Sequence, residues 1–381
     1  MEYTGHCFEE SAVFDKTTAV PSDGPVAKSA HEGRCPILLQ SRHQTVLQFG
    51  GMDTADWYQH FAMQEARGSS LCYEQWASGI AEDQELLALV DQLPNRNRQP
   101  NLVLAASRLA GIRPAPFEGF REQFMALWPE IRAIALEHRT QTNEVGRCAV
   151  LVPLLASLPQ PLALLEVGAS AGLCLYPDKF SYQYGEADRI DPNDGPSTAI
   201  LQCATTGPVP RPLKLPEIAW RTGIDLNPLD VSNADDMRWL EALVWPEHEE
   251  RRSRLRSAIE FARTDPPALV KGNLLGTLQE TAASAPRDAT LVVFHSAVLT
   301  YLSADERSMF THTVQQLPGH WISNEGAAVI QFPPGSLPER SDSSTSVFVV
   351  ALDGKPLAYA GPHGQWLDWF GQSPSEGAVA G

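Results

Sequence analysis

The chain has 381 residues, of which 43% are hydrophobic, and this size is enough for one large or two moderate hydrophobic cores. The sequence has no sustained internal period, which argues against a repeat protein. Acidic residues outnumber basic ones by 46 to 29, so the formal net charge is −17. A chain that neutralises nucleic-acid phosphates normally carries the opposite excess, and we therefore expect no nucleic-acid partner.

The sequence indicates neither a membrane span nor a secretory signal. It contains no apolar run of about 18 residues, and its first residues include Glu2, Glu9 and Glu10 instead of a basic region followed by an apolar one. We expect a cytoplasmic protein without a membrane partner. The six cysteines are scattered and form no C-x-x-C pair, which favours reduced, buried thiols over a metal site or a disulfide.

The first half of the chain has two regions that differ in composition and in apolar periodicity. Residues 1–40 are rich in Ser, Thr, Gly and Pro with little apolar periodicity, and we interpret them as a flexible arm. Over residues 41–158 the apolar residues recur at helical spacing, as at Phe120, Phe124 and Leu127. This spacing predicts an all-helical N-terminal cap domain.

From residue 159 to residue 372, short apolar runs alternate with helical patterns, which is typical of βαβ units and a parallel sheet. The predicted strands are Ala163–Val167, Ala219–Leu226, Ala268–Lys271, Thr290–Phe294, and Trp321–Ser323 followed by Ala327–Phe332. Asp353-Gly354 supplies the positive φ values of a tight turn, so Ser346–Leu352 and Leu357–Ala360 are predicted to form an antiparallel hairpin. We therefore predict an α/β fold with a Rossmann-like, mostly parallel sheet and a C-terminal antiparallel hairpin.

A stretch punctuated by Pro and Gly, residues 176–216, interrupts this alternation. We interpret it as an insertion with two short strands, Phe180–Tyr184 and Ala199–Cys203, which either covers the site or pairs with a neighbour. Residues 373–381 are interpreted as a flexible tail.

The most informative motif is ALLEVGASAGLCL, which runs from Ala163 to Leu175. An apolar run that meets a Gly-rich turn is typical of a parallel strand that brings a ligand to a helix N-terminus. The motif resembles motif I of class I S-adenosylmethionine-dependent methyltransferases, which implies S-adenosyl-L-methionine as the cofactor. In this interpretation Glu166 fixes the loop. The residues that would hold the methionine end of the cofactor are Gly168, Ala169, Ser170 and Gly172.

Three later strand ends supply further candidate cofactor residues. Asp225, in GIDLNPLDV, looks like the acidic residue that follows the second strand of these methyltransferases and accepts both ribose hydroxyls; an Asx turn beside Pro228 is the alternative. Asn273, in VKGNLL, stands where these enzymes often have Gly-Asp and is predicted to touch adenine, with an ordinary turn as the alternative. Ser296 follows the fourth strand and is placed in the same site.

His295 and Glu325 are the candidates for orienting or deprotonating the acceptor. Both stand at predicted strand ends, at the carboxyl edge where open α/β sheets bind ligands, and a His there is suited to proton abstraction near neutral pH. A packing role for the His is the alternative. Asn143, Glu144 and Arg147 are the polar residues of the helical half closest in sequence to the loop, and we predict that they bind substrate; helix capping is their alternative.

The same loop also matches G-x-S-x-G, the nucleophile elbow of α/β-hydrolases, with Ser170 as the nucleophile. The later acid and histidine are available at Asp342 or Asp353 and at His363. However, no convincing strands and no His-Gly-Gly segment precede Ala163, so we favour methyl transfer to a small-molecule acceptor. Two further alternatives keep the cofactor: a lyase or cyclase that uses its sulfonium, and a non-catalytic binding or scaffold protein. The sequence leaves the oligomeric state open.

Longer blocks of the chain are TQTNEVGRCAVL, LLEVGASAGL, GIDLNPLDV, ALVWPE, LVVFHSAVL and WISNE. These blocks resemble a bacterial family of unknown function, DUF2332, over roughly Gln44 to Phe370. The resemblance implies a methyltransferase-like Rossmann domain without an established reaction. Cys174 and Asn273 depart from this family, which tends to have Asn and Asp at these positions.

Overall fold

The computed structural model describes residues 52–141, 143–340 and 347–371. The predicted arm (1–40) and tail (373–381) lie outside the described residues, and so does Asp342. Within these ranges, no helix combines the length and the apolar character needed to cross a bilayer.

The first part of the described chain is helical, as the apolar spacing predicts. Its α-helices are α1 (Thr54–Phe61), α2 (Leu71–Glu82), α3 (Gln84–Val90), α4 (Pro100–Leu109), α5 (Phe117–Ala126), α6 (Trp128–Glu137) and α7 (Cys148–Leu155). A π-helical turn over Ala62–Ala66 extends α1. Polar caps fix two of the helix starts, because the side chain of Ser70 accepts the Tyr73 N–H and that of Asp83 accepts the Leu86 N–H.

The helices α1 to α6 have a hydrophobic core of their own. At its centre the ring of Trp76 stacks on that of Phe120, with centroids 4.1 Å apart, and both residues are fully buried. The indole Nε1 of Trp76 donates to the carbonyl of Ala115 at 2.9 Å, so this large side chain is buried without an unsatisfied polar atom.

The rest of the described chain forms one ten-stranded sheet with the order β2-β3-β10-β9-β8-β7-β6-β1-β4-β5. Its strands are β1 (Leu162–Val167), β2 (Ser181–Tyr184), β3 (Ile200–Thr206), β4 (Ile218–Asp225), β5 (Ala268–Lys271), β6 (Thr290–Ser296), β7 (His320–Gly326), β8 (Phe348–Leu352), β9 (Lys355–Ala360) and β10 (Trp366–Trp369). The helices among them are α8 (Ala234–Leu243), α9 (Glu249–Thr264), α10 (Leu274–Ala283) and α11 (Ala304–Gln315).

The sheet is mostly parallel, which confirms the predicted α/β class. The neighbours β5, β4, β1, β6 and β7 are all parallel, and β8 joins β7 in antiparallel orientation. The strands β8 and β9 form the predicted C-terminal hairpin, with Leu352 opposite Lys355. The insertion supplies β2 and β3, and β3 pairs with β10, so the insertion extends this edge of the sheet.

Helices cover both faces of the sheet, and for this reason β1 is buried along its whole length. Leu164 packs in the core that contains residues of α7, α8 and α9. Its neighbour Leu165 faces the opposite core, which contains residues of α10 and α11. The period-two alternation of a strand is therefore invisible in the apolar run of β1, because both of its faces are buried.

The prediction of a strand over Ala327–Phe332 is wrong. β7 continues from His320 to Gly326 and ends there. The N–H of Val329 then donates to the carbonyl of Gly326 at 2.8 Å, so the chain turns back on itself instead of extending the ladder.

We predict that truncation of Phe120 destabilises the protein strongly. Phe120→Ala removes the ring that stacks on Trp76 and leaves a cavity, so the free energy of unfolding in urea should fall by about 3–5 kcal/mol. The control is Met125→Ala on the same helix, where the side chain is 39% exposed; its effect should stay below about 0.5 kcal/mol. Equal effects of the two variants would contradict the packing described here.

Candidate functional site

The loops that follow β1, β4 and β6 meet at the carboxyl edge of the sheet. β1 pairs with β4 on one side and with β6 on the other, so the order of the strands reverses around β1. Such a reversal opens a crevice between the loops, and open α/β sheets bind their ligands there.

The loop after β1 has a backbone shape that its glycines permit. Gly168 and Gly172 have φ values of +73° and +70°, and Ser170 between them also has a positive φ of 52°. A Cβ atom on Gly168 would lie 2.3 Å from a methyl group of Val298, so no larger residue fits at this position. The hydroxyl of Ser170 is buried and has no hydrogen-bond partner among the described residues.

Asp225, the last residue of β4, holds this loop from one side. Its Oδ2 accepts the N–H of Ser170 at 2.7 Å, and its Oδ1 accepts the N–H of Asn227 at 2.8 Å. Each carboxylate oxygen has a second lone pair, so Asp225 can accept further hydrogen bonds from a ligand. The hydrogen bond to Asn227 is the Asx turn that the sequence offered as the alternative, and the hydrogen bond to Ser170 attaches the same carboxylate to the loop.

Asn143 holds the loop from the other side. Its Nδ2 donates to the carbonyl of Ala169 at 3.1 Å, and its Oδ1 accepts the N–H of Leu173 at 3.0 Å. The side chain therefore satisfies one backbone acceptor and one backbone donor of the loop. It links the segment before α7 to the edge of the sheet.

Glu166 lies in β1 below the loop and is 7% exposed. Burial raises the pKa of its carboxyl well above the ordinary value, nearby Cys174 and Asp225 add to this rise, and Arg147 opposes it. Its Oε2 has no hydrogen-bond partner among the described residues. A buried carboxyl oxygen of this kind is costly unless a ligand or a water binds it.

A cavity of about 410 Å³ opens beside the loop, within the range of small-molecule sites. We call it the loop cavity. On the sheet side it is lined by Gly168, Ser170, Asp225, Gly272, Leu274 and Ser296. On the helical side it is lined by Asn97, Leu102 and the segment 138–141, so both halves of the described chain enclose it.

A second cavity of about 360 Å³ adjoins the first. We call it the arginine cavity, because Arg147 and Arg251 lie in its wall together with the aromatic side chains of Phe61 and Trp245. The residues that line both cavities are Gln99, Thr140, Gln141, Arg147, Ala297 and Tyr301. The two cavities therefore share a border.

Glu144 forms a buried ionic cluster beside the arginine cavity. Its Oε2 pairs with Nε of Arg251 and lies 3.5 Å from Nδ1 of His363, and its Oε1 lies 3.8 Å from Nη2 of Arg254. Burial acts to raise the pKa of Glu144, but Arg251, Arg254 and the hydrogen bond from the Gly146 N–H outweigh it and lower the pKa. Burial, together with Arg251, lowers the pKa of His363 to about 3, so its ring is neutral near neutral pH.

Arg147 lies at the border of the two cavities and is 6% exposed. Its Nε donates to the carbonyl of Pro362 at 2.9 Å, and its Nη1 donates to the carbonyl of Ser296 at 3.1 Å. The guanidinium also lies over the ring of Phe348, 5.4 Å from the centroid. Of the three residues predicted to bind substrate, Arg147 and Asn143 line the arginine cavity, and Glu144 lies next to it.

His295 and Glu325 bind each other in the interior. Nδ1 of His295 lies 2.7 Å from Oε1 of Glu325, and its Nε2 accepts the indole N–H of Trp321 at 3.0 Å. Nδ1 must then carry the proton, so both ring nitrogens are engaged. The same Oε1 accepts the N–H groups of Val298 and Leu299, and the pair thereby holds the chain that follows β6.

Two further predicted cofactor residues differ in their surroundings. Asn273 begins α10 and its side chain accepts the N–H of Leu275 at 2.9 Å, so this side chain acts as the helix cap. Ser296 lines the loop cavity, and its hydroxyl accepts a hydrogen bond from Nδ2 of Asn324 at 2.7 Å.

The structure does not assemble the described residues into a hydrolase triad. Ser170 has no partner for its hydroxyl among them, and His363 lies beside Glu144 instead. Asp353, at the β8–β9 turn, pairs with Nδ1 of His320 at 2.8 Å.

Sequence reasoning missed Arg251, Arg254 and Tyr301. The two arginines belong to EERRSRLRS at the start of α9, which has the pattern of a solvated helix face. Their pairing with Glu144 depends on a contact across more than a hundred residues, and no local signal indicates it. Tyr301 follows β6 in a 3₁₀ turn over Leu299–Tyr301, where the residue type alone carries no functional signal.

A family model described as "Uncharacterized protein conserved in bacteria (DUF2332)" matches residues 55–369. The chain belongs to this family. The match runs from α1 to the end of β10 and so includes the residues of both cavities, which confirms the resemblance of the sequence blocks to DUF2332. The comparisons with curated proteins and with solved structures gave no match.

We predict that Asn143 stabilises the loop after β1. Asn143→Ala leaves the Leu173 N–H without its acceptor and removes one of the two hydrogen bonds to the Ala169 carbonyl, so the free energy of unfolding should fall by about 1–3 kcal/mol. Hydrogen exchange of the Leu173 amide should become faster. Gln141→Ala, which removes an exposed hydrogen bond to the Asn227 carbonyl, is the control and should leave this exchange unchanged. Unchanged exchange of the Leu173 amide in Asn143→Ala would contradict this stabilising role of Asn143.

Proposed function

We propose that this protein binds S-adenosyl-L-methionine in the loop cavity and transfers its methyl group to a small molecule. One observation carries the proposal: a Gly-rich loop and a carboxylate line the same cavity. The loop follows β1, the carboxylate is that of Asp225 at the end of the adjacent strand β4, and the order of the strands reverses at this place in the sheet. The cavity has a volume of about 410 Å³ and lies between the sheet and the helical half.

The residues in the cavity fit the chemical groups of this cofactor. Its methionine end carries an ammonium and a carboxylate, and the loop offers close backbone approach at Gly168 together with the unpartnered hydroxyl of Ser170. The unpartnered Oε2 of Glu166 lies under the same loop. Asp225 would accept the ribose hydroxyls with its remaining lone pairs, as proposed from the sequence.

For the adenine contact we propose the neighbours of Asn273 instead of its side chain. The side chain of Asn273 caps α10, whereas its neighbours Gly272 and Leu274 line the loop cavity. We therefore assign the adenine-facing wall to these two neighbours. The backbone of this segment would supply any hydrogen bonds to the base edge.

When bound, the cofactor supplies a methyl group on a sulfonium, which passes to an acceptor lone pair while the carbon–sulfur electrons stay on sulfur and the acceptor's proton, where it has one, passes to water. The protein's part is to place the acceptor in line and to exclude solvent. The adjoining arginine cavity is the place for the acceptor, because it shares a border with the loop cavity at Arg147 and Tyr301.

We assign His295 and Glu325 a positioning role. Both ring nitrogens of His295 are engaged and the residue is fully buried, so this side chain has no free basic nitrogen. Glu325 holds the N–H of Val298, and Val298 lies against Gly168. The pair thereby supports the wall of the loop cavity. The hydrolase alternative has less support, because the hydroxyl of Ser170 has no base next to it among the described residues.

We predict that the protein binds S-adenosylmethionine and S-adenosylhomocysteine, and that Asp225→Ala weakens both by about tenfold or more, because a ribose hydroxyl pair loses its charged acceptor. Isothermal titration calorimetry measures both affinities. The control is Asp230→Ala: Asp230 also accepts a backbone N–H, from Ser232, but does not line the loop cavity. Absence of binding to the folded wild-type protein, or equal binding by wild type and Asp225→Ala, would contradict the proposal.

A further inference from the structure

We infer that the arginine cavity binds an anionic acceptor: a small molecule with a carboxylate or phosphate group on a flat, apolar or aromatic body. That the bound molecule is the methyl acceptor rests on the proposed function. The affinity for an anion rests on the cavity alone. Its two supports are a buried guanidinium that has no ion-pair partner among the described residues, and aromatic side chains in the wall of the same cavity.

The first support is the charge of Arg147. The residue is 6% exposed, and the two hydrogen bonds of its guanidinium go to neutral backbone carbonyls, of Pro362 and Ser296. Within the described ranges, no carboxylate oxygen lies within 4.0 Å of this guanidinium, and its Nη2 makes no hydrogen bond. Burying a charge without a counterion costs several kcal/mol, so an anion from outside would bind here favourably.

The charges around Arg147 do not supply the missing anion. Arg251 and Arg254 both pair with Glu144, so this one carboxylate already faces two cations. His363, on the same carboxylate, is neutral near neutral pH because burial and the arginines lower its pKa to about 3. Glu325 also acts electrostatically on Arg147, but its Oε1 already binds His295 and the N–H groups of Val298 and Leu299. The three arginines thus face the two carboxylates of Glu144 and Glu325, which leaves an excess of positive charge within a chain whose formal net charge is −17.

The shape of the cationic groups favours a carboxylate or a phosphate over a simple halide. A guanidinium presents its N–H groups as a planar fork that matches two oxygens of one anion. Arg251 uses its Nε for Glu144, and its terminal nitrogens make no hydrogen bond to the described residues. Arg147 and Arg251 both line the cavity, so both can contribute donors to one anionic group.

The second support is the aromatic wall. Phe61 and Trp245 line the cavity and meet edge to face, with ring centroids 5.6 Å apart, and His248 stacks on Trp245 at the same separation. Nε1 of Trp245 donates to Oδ1 of Asn101 at 2.9 Å, which fixes the orientation of the indole. A preformed aromatic surface of this kind suits a flat apolar body. Glu65 also lines the cavity, in the π-helical turn after α1, and serves below as the control.

The test uses three probes of similar size: benzoate, phenyl phosphate and the neutral benzamide. Ligand-observed NMR on the full-length protein should show benzoate and phenyl phosphate binding about tenfold or more tightly than benzamide. Arg147→Gln should reduce benzoate affinity by about tenfold or more and leave benzamide affinity unchanged. Glu65→Gln changes a carboxyl of the same cavity. Burial raises the pKa of this carboxyl to about 7, so the variant removes only part of one negative charge near neutral pH and should not weaken benzoate binding. Equal affinity for benzoate and benzamide, or full benzoate binding by Arg147→Gln, would overturn the inference.

The comparison of benzoate with benzamide needs no variant, so the inference stays testable even if Arg147→Gln does not fold. The carboxylate that binds Arg147 can belong to the acceptor or to the cofactor. A titration of benzoate in the presence of saturating S-adenosylhomocysteine distinguishes these two sources. Retained benzoate binding assigns the anion to the acceptor. Displacement would show that Arg147 holds the carboxylate of the cofactor, and would overturn the inference. A preference for benzoate over benzamide without any binding of the cofactor would overturn only the proposed function. Binding of the cofactor without a preference for benzoate would overturn only the anion site.

Discussion

The site depends on how the loop after β1 is held. The backbone of this loop has three residues with positive φ, and it is fixed by side chains from two distant parts of the chain, Asp225 at the end of β4 and Asn143 ahead of α7. These two side chains accept the backbone N–H groups of Ser170, Asn227 and Leu173, so the contacts that hold the loop in this conformation are present without a ligand. A rigid loop lowers the conformational cost of binding. The Asn143 contact also connects the segment before α7 to the edge of the sheet, and Arg147 in the same segment lies at the border of the two cavities.

The fold was readable from the sequence where the signal is local. The Gly-rich loop, the acid at the end of β4 and the β8–β9 hairpin each depend on a few adjacent residues whose backbone demands are specific, and the apolar spacing predicts the helices of the first half. The prediction failed over Ala327–Phe332, where an apolar run forms a turn instead of a strand. Composition cannot distinguish these outcomes, because the turn is set by a backbone hydrogen bond to Gly326.

The side-chain partners in the site were not readable in the same way. The sequence points to His295 and Glu325 separately, but their mutual hydrogen bond follows from the pairing of β6 with β7, whose register no local pattern encodes. Arg251 pairs with Glu144 from α9, a helix whose sequence pattern is typical of a solvent-exposed face. For Asn273 the sequence leaves an adenine contact and an ordinary turn as the two alternatives, and neither of them names the role that its side chain has in the structure, which is the cap of α10. Residues whose partners are remote in sequence thus require the structure for their interpretation.

The roles proposed for Asp225, Ser170 and Arg147 all require that S-adenosylmethionine binds in the loop cavity. The most direct measurement is a crystal structure of the protein with S-adenosylhomocysteine at saturating concentration. We expect ligand density in the loop cavity, with the ribose beside Asp225 and the methionine end along the loop from Gly168 to Ser170. The sulfur should be directed toward Arg147 and the adjoining arginine cavity. A loop cavity without ligand density under these conditions, or a ligand bound elsewhere on the protein, would contradict this expectation.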